Sequence, residues 1–180
     1  MVVGVWQTNK DAAKLIPPKM LSQKIQDYTA VGLIVPNVRT YNMLLDGLKG
    51  IVDAHESPLI AEAVLNSMIR LSGGDIGSEL HPNIVTINTV IDLWSNSGRQ
   101  EAPERAEQLL KMLNDWYAQT GMEKVKPKAH VYSSVISVWS RSEKKKGSAG
   151  QRAHDLLKEM KQQGLQPNTI TYGALLHKWS

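Results

Sequence analysis

The sequence predicts an all-α fold, a right-handed α-solenoid of helix–turn–helix repeats, three of them complete and two partial. Two observations predict it. One phrase recurs four times, as NVRTYNMLLDGL, NIVTINTVIDLW, AHVYSSVISVW and NTITYGALLHKW, starting at Asn37, Asn83, Ala129 and Asn168. Its equivalent positions Asn42, Asn88, Ser133 and Gly173 lie 46, 45 and 40 residues apart. Self-similarity at such a period marks a stack of supersecondary units, none of which can bury its apolar face alone. A second block alternates with the first: Ala61-x-x-Val64-Leu65-x-x-Met68, Ala106-x-x-Leu109-Leu110-x-x-Leu113 and Ala153-x-x-Leu156-Leu157-x-x-Met160. Apolar residues at those offsets form one stripe on a helix of 3.6 residues per turn.

The elements follow in order. Val2 to Trp6 matches Val90 to Trp94 and Val135 to Trp139, so residues 1–37 read as a partial repeat. Pro17-Pro18 and then Leu21, Ile25 and Tyr28 supply its second helix. Residues 38–83 form the first complete repeat: Tyr41, Leu44, Leu45 and Leu48 make its buried stripe, and Ser57-Pro58 opens its second helix. Residues 84–128 repeat the plan with Ile87, Val90, Ile91 and Trp94, and with Ala102-Pro103. Proline suits a first turn, where its missing N–H leaves no bond unmade. Residues 129–168 carry Tyr132, Val135, Ile136 and Trp139, and residues 169–180 are the first helix of a truncated repeat, with Tyr172, Leu175, Leu176 and Trp179. Met1 thus falls inside one helix and Ser180 at the end of another, as expected of a fragment of a longer array. Trp6, Trp94, Trp139 and Trp179 read as core residues. The surplus length sits in loops at Gly50–Pro58, Leu71–Leu80, Ala118–Val125 and Glu143–Gly150.

A second stripe shares each first helix. It runs Arg39, Asn42, Asp46, Lys49; then Val85, Asn88, Asp92, Ser95; then His130, Ser133, Ser137, Ser140; then Ile170, Gly173, His177. A face that merely met solvent would more often carry Lys and Glu, the better helix formers. Asn and Ser in a first turn can also be local caps. Period and polarity leave both a ligand-reading face and a solvated one open.

With 21 Lys and Arg against 17 Asp and Glu, a net charge of +4 permits an anionic partner without demanding one. The absence of cysteine excludes disulfides and cysteine-based zinc sites. His55, His81, His130, His154 and His177 show no metal-ligand cadence, so no metal or cofactor is expected. No apolar run reaches the roughly 18 residues of a membrane helix, and no targeting segment is visible. No phosphate loop, nucleophile elbow or paired carboxylate cluster occurs, which argues against an enzyme.

The wording of the motifs goes further. PNVRTYNMLLDGL, PNIVTINTVIDLW and GLQPNTITYGALL, with A-x-x-L-L-x-x-M between them, resemble pentatricopeptide repeats across essentially residues 1–180. The resemblance implies sequence-selective binding of single-stranded RNA, about one base per repeat. It implies action in organellar RNA processing, stability or translation, in a mitochondrion or chloroplast, with RNA-processing or translation factors as further partners. By the same resemblance, bases are read by Asn42 with Asn83 (a pyrimidine, cytosine over uracil) and by Ser133 with Asn168 (adenine). Asn88 with Lys128 departs from the family's usual combinations, and Asn37 and Gly173 belong to partial repeats. Arg39, Val85, His130 and Ile170 fall where the family sandwiches bases. Arg141, Lys144, Lys145 and Lys146 are candidate phosphate contacts in a short basic loop. The alternative is a helical-repeat scaffold for protein–protein interaction, and a catalytic domain elsewhere in a longer parent is a third option.

Overall fold

The computed structural model describes residues 36–51, 53–142 and 146–179. Among them are seven α-helices, one 3-10 turn and no strand: α1 (Val38–Ile51), α2 (Ser57–Leu71), α3 (Ile84–Ser95), α4 (Ala102–Thr120), α5 (Ala129–Arg141), α6 (Lys146–Gln162) and α7 (Thr169–Trp179). This is an all-α helical repeat fold. The partial repeat of residues 1–37, with Trp6, lies outside the described residues apart from Pro36 and Asn37. Two compact units divide the chain after Leu93, within α3.

In the first unit α1 packs on α2. Tyr41, Leu44, Leu45 and Leu48 meet Ala61, Val64, Leu65 and Met68, and all eight are buried. The second helix begins as its sequence requires, with proline in the first turn, and the Ser57 hydroxyl donates to Asp53 O at 2.9 Å. Ile87, Val90 and Ile91 of α3 are fully buried too. His81, also buried, has its Nδ1 2.9 Å from Pro82 O, so this histidine belongs to the turn before α3.

In the second unit α5 is the central helix, packed on α4, α6 and α7. Tyr132, Val135, Ile136 and Trp139 are buried, as are Ala106, Leu109, Leu110 and Leu113 of α4 and Ala153, Leu156, Leu157 and Met160 of α6. Trp94 is 1% exposed with the Arg105 guanidinium 5.9 Å from its ring, and Trp139 is 8% exposed. These two tryptophans are core residues. Gly121 ends α4 in the left-handed conformation, its N–H donating to Tyr117 O at 2.8 Å. Gly164 (φ 74°) plays that part after α6.

Three expectations are corrected. Ala118–Thr120 continues α4, and Lys146–Gly150 is the first part of α6, so neither stretch is loop. Glycine and serine composition misled there: Ala149 is fully buried, and burial outweighs a propensity deficit of about 1 kcal/mol per glycine. The third correction is α7. Its stripe is not buried, for Tyr172 is 45% and Leu176 69% exposed, while Thr171 is at 0%. Tyr41 and Tyr132 are covered by the second helix of their own repeat, and no helix follows α7 among the described residues.

Polar side chains tie the second unit together. Tyr132 Oη donates to Glu159 Oε1 at 2.8 Å and accepts from Asn114 Nδ2 at 3.1 Å, and Arg152 forks onto Glu107. Burial, chiefly, holds the Tyr132 and Tyr41 phenols above the ordinary 10.0. A phenol whose folded value is raised stabilises the fold fully below its unfolded value, and that contribution fades as pH climbs. The denaturation midpoint should therefore fall as pH rises above 10.0, and Tyr132→Phe should flatten the fall. At neutral pH the same variant should be less stable by about 1–3 kcal/mol, since Asn114 and Glu159 lose a partner. Denaturant titrations of both proteins across pH check both outcomes.

Candidate functional site

The Asn-x-x-Thr in three of the four repeated phrases is a helix cap. Asn37 Oδ1 accepts the Thr40 N–H at 3.1 Å, Asn83 Oδ1 the Thr86 N–H at 3.1 Å, and Asn168 Oδ1 the Thr171 N–H at 3.0 Å. Each threonine hydroxyl answers by accepting the asparagine N–H, at 3.5, 3.1 and 3.2 Å. Two otherwise unpaired backbone donors are thereby satisfied at the start of α1, α3 and α7. α5 differs: Lys128 precedes it without a side-chain cap, and Val131 stands in the threonine's place.

The caps of α3 and α7 reach back to the first helix of the preceding repeat. Thr86 Oγ1 lies 2.7 Å from Asn42 Oδ1, and Asn42 Nδ2 lies 3.5 Å from Asn83 Oδ1. Asn42 and Asn83, paired by the sequence reading, are thus brought together. In the second unit Thr171 Oγ1 lies 2.7 Å from Ser133 Oγ and 3.0 Å from Asn168 Oδ1, so Ser133 and Asn168 meet through a bridging threonine. Ser133 is only 3% exposed, whereas Asn168 is exposed.

The orientation of the closing amides follows from their partners. A backbone N–H needs an acceptor, so the oxygens of Asn83 and Asn168 must face inward and their NH2 groups outward. Those NH2 groups have no protein partner among the described residues. Asn88 is arranged otherwise. Its Nδ2 donates to Asp92 Oδ2 at 3.2 Å, while its Oδ1 is buried without a partner. Asn88 lies in the first unit and Lys128, exposed, in the second. Lys49 stands 3.3 Å from Asp46 and 3.8 Å from Asp92, which links the repeated aspartates through one cation.

All four residues at the expected sandwiching position are exposed: Arg39, Val85 (54%), His130 and Ile170 (66%). Gly173 is exposed, and a Cβ there would meet nothing within 4 Å, so the place is vacant for want of a side chain rather than of room. Arg141 is exposed and donates to Ser137 O at 3.3 Å and to Ser95 Oγ. It borders a cleft of about 490 Å³ shared with Arg99 and Pro103. Lys144 and Lys145 lie outside the described residues, and Lys146 begins α6.

Residues 132–179 match the pentatricopeptide repeat domain family. A pentatricopeptide repeat-containing protein of Arabidopsis thaliana is 22% identical over 152 residues, which are 83% of this chain and 24% of that protein. The crystal structure of the pentatricopeptide repeat protein PPR10 from maize is similar in fold, with a TM-score of 0.56 and 19% identity over 90% of this chain and 21% of that one. The chain shares the all-α helical-repeat fold of the maize protein, and its residues 132–179 match the pentatricopeptide repeat family. It spans about a quarter of the length of the Arabidopsis relative and about a fifth of the maize chain.

The residues that sequence reasoning missed are Thr86 and Thr171. The signal was present as the fixed spacing of Asn-x-x-Thr, but their bonds to Asn42 and Ser133 span 44 and 38 residues. Asn83→Ala should destabilise the protein by about 0.5–2 kcal/mol through loss of the cap, whereas Lys128→Ala should be nearly neutral. Thermal melting of the two variants beside the parent tests the contrast.

Proposed function

We propose that this chain binds single-stranded RNA sequence-selectively, one base per repeat, in organellar RNA processing, stability or translation. The match of residues 132–179 to the pentatricopeptide repeat family supports the reading, and one observation carries it. Asn42 and Asn83 form a hydrogen-bonded pair with outward amide donors, flanked by the exposed apolar Val85. A flat base can lie on Val85, as on Ile170 beside Asn168, while its edge meets the amide.

The chemistry of the pair favours cytosine. Both amide oxygens of Asn42 and Asn83 are occupied within the protein, so only N–H donors remain. Cytosine offers adjacent acceptors at O2 and N3, whereas uracil presents a donor at N3 that would face those donors unpaired. At the Ser133 and Asn168 repeat the NH2 of Asn168 can donate to a ring nitrogen of adenine, with Ser133 behind it. Asn88 is not held in the same way: its NH2 is turned to Asp92 and its oxygen is buried, so no base is assigned to it. Arg39 and His130 would stack through their planar groups. Arg141 with Lys144, Lys145 and Lys146 would attract phosphates irrespective of sequence. A mitochondrion or chloroplast is the compartment that the family implies.

Selection from a random RNA pool should enrich a pyrimidine and an adenine two positions apart; a pool without that pattern sinks the assigned pairs, and no RNA binding at all would favour a protein-binding scaffold. Asn83→Asp separates capping from reading. The carboxylate still accepts the Thr86 N–H, so the melting temperature should hold, while the lost donors should move preference from cytosine toward uracil. Replacing Lys144, Lys145 and Lys146 with Glu should weaken binding to every sequence alike at low salt, measured as dissociation constants on two unrelated oligonucleotides.

A further inference from the structure

We infer that Thr86 is a specificity-positioning residue for Asn42 and, through it, for the Asn42 and Asn83 pair. Its hydroxyl proton occupies the Asn42 oxygen inside the fold and so leaves that reading amide with only donors to offer. The inference rests on the RNA reading proposed above, and adds to it a buried residue that no base could touch, since Thr86 and Thr171 are both 0% exposed.

Capping alone does not require the hydroxyl's longer reach. The cap of α3 consists of the Thr86 N–H on Asn83 Oδ1, a backbone donor that any residue but proline would supply. The side chain adds something else. Its oxygen accepts the Asn83 N–H at 3.1 Å, and its single proton faces Asn42 Oδ1 at 2.7 Å, with Asn83 Oδ1 farther away at 3.2 Å. The shorter bond runs to the preceding repeat, not to the cap. Thr171 Oγ1 likewise reaches the preceding first helix, 2.7 Å from Ser133 Oγ in a contact where either hydroxyl can donate, and lies 3.0 Å from Asn168 Oδ1. The arrangement therefore occurs once in each unit, on different partners.

An asparagine amide is nearly symmetric in shape, and a half-turn about its last bond exchanges a donor for an acceptor with little change in packing. Among the described residues no backbone N–H donates to the Asn42 oxygen; the donor on it is Thr86 Oγ1. Without that hydroxyl the Asn42 amide could present either polarity to a ligand, and discrimination between an acceptor edge and a donor edge would be lost. The sequence varies in step. Where the closing residue is asparagine, at Asn37, Asn83 and Asn168, threonine follows three places on; where it is Lys128, which has no amide to orient, Val131 follows.

The test is Thr86→Val in the full chain, which keeps the shape and removes the hydroxyl, with Thr86→Ser as the restoring variant. Dissociation constants are measured on two single-stranded RNA oligonucleotides that differ only by cytosine or uracil at the position assigned to Asn42 and Asn83. The parent should prefer cytosine by about tenfold, and Thr86→Val should reduce that ratio below about twofold, while its mean affinity for the two changes far less. Thr86→Ser should recover the ratio. Without RNA, the side-chain amide NMR signals of Asn42 should lose their fixed, separated positions in Thr86→Val alone. A cytosine-to-uracil ratio that survives in Thr86→Val overturns the inference, as does an unchanged Asn42 amide. A parent with no preference overturns the base assignment itself, and the amide signals then decide separately whether Thr86 orients the pair. Should Thr86→Val fail to fold, Thr86→Ala supplies the same measurement on the same two oligonucleotides, and an unchanged ratio there is equally fatal.

Discussion

A first helix such as α5 carries buried apolar residues around nearly half its circumference. Val131, Tyr132, Val135, Ile136, Val138 and Trp139 are all buried, and no single neighbour could cover them. Three helices do so: α4, α6 and α7. Each such side chain contributes about 1.5–3 kcal/mol when fully withdrawn from water, so this burial outweighs every other stabilising term in the repeat. Local features are subordinate to it. Each second helix carries one fully buried alanine, Ala61, Ala106 and Ala153. Polar groups that enter the packed region are short, or else multiply bonded, as Tyr132 is to Asn114 and Glu159.

Magnitudes separate what the fold needs from what it merely uses. A side-chain cap is worth roughly 1 kcal/mol, a small fraction of the burial in one first helix. α5 makes the point directly, since it runs for 13 residues without a capping side chain. The asparagine–threonine box is thus dispensable for forming a first helix, and its recurrence at α1, α3 and α7 has room for a second cause. The bonds to Asn42 and Ser133, which capping does not require, indicate where that cause lies. On the proposed reading, the same atoms begin one helix and orient a ligand-facing amide of the one before it.

The core was legible in the sequence because burial imposes a 3.6-residue period, and the period survives in every repeat from Tyr41 to Trp139. Helix starts at Ser57-Pro58 and Ala102-Pro103 were equally legible, since proline's missing donor restricts it to few places. The start of α6 was not, because Gly147-Ser148-Ala149-Gly150 has the composition of a loop and only the burial of Ala149 makes it helix. Nor was the exposure of Tyr172 and Leu176, which share their pattern with buried residues but have no following helix among the described residues. At the candidate site the residues were legible and their surroundings were not. Nothing local to Ser133 marks it as 3% exposed, and nothing local to Thr86 points to Asn42.

The double duty of the closing asparagine also limits what can be written at its position. A side chain there must take a hydrogen bond from a backbone N–H, and only Asn, Asp, Ser and Thr do that well at a helix start. Whatever message such positions carry is therefore composed in an alphabet of about four letters, set by helix chemistry before any ligand arrives. Lys128 lies outside that alphabet, and α5 forms regardless, so the restriction is one of modest free energy rather than of geometry. An array of this kind can escape its own spelling rules, one cap at a time.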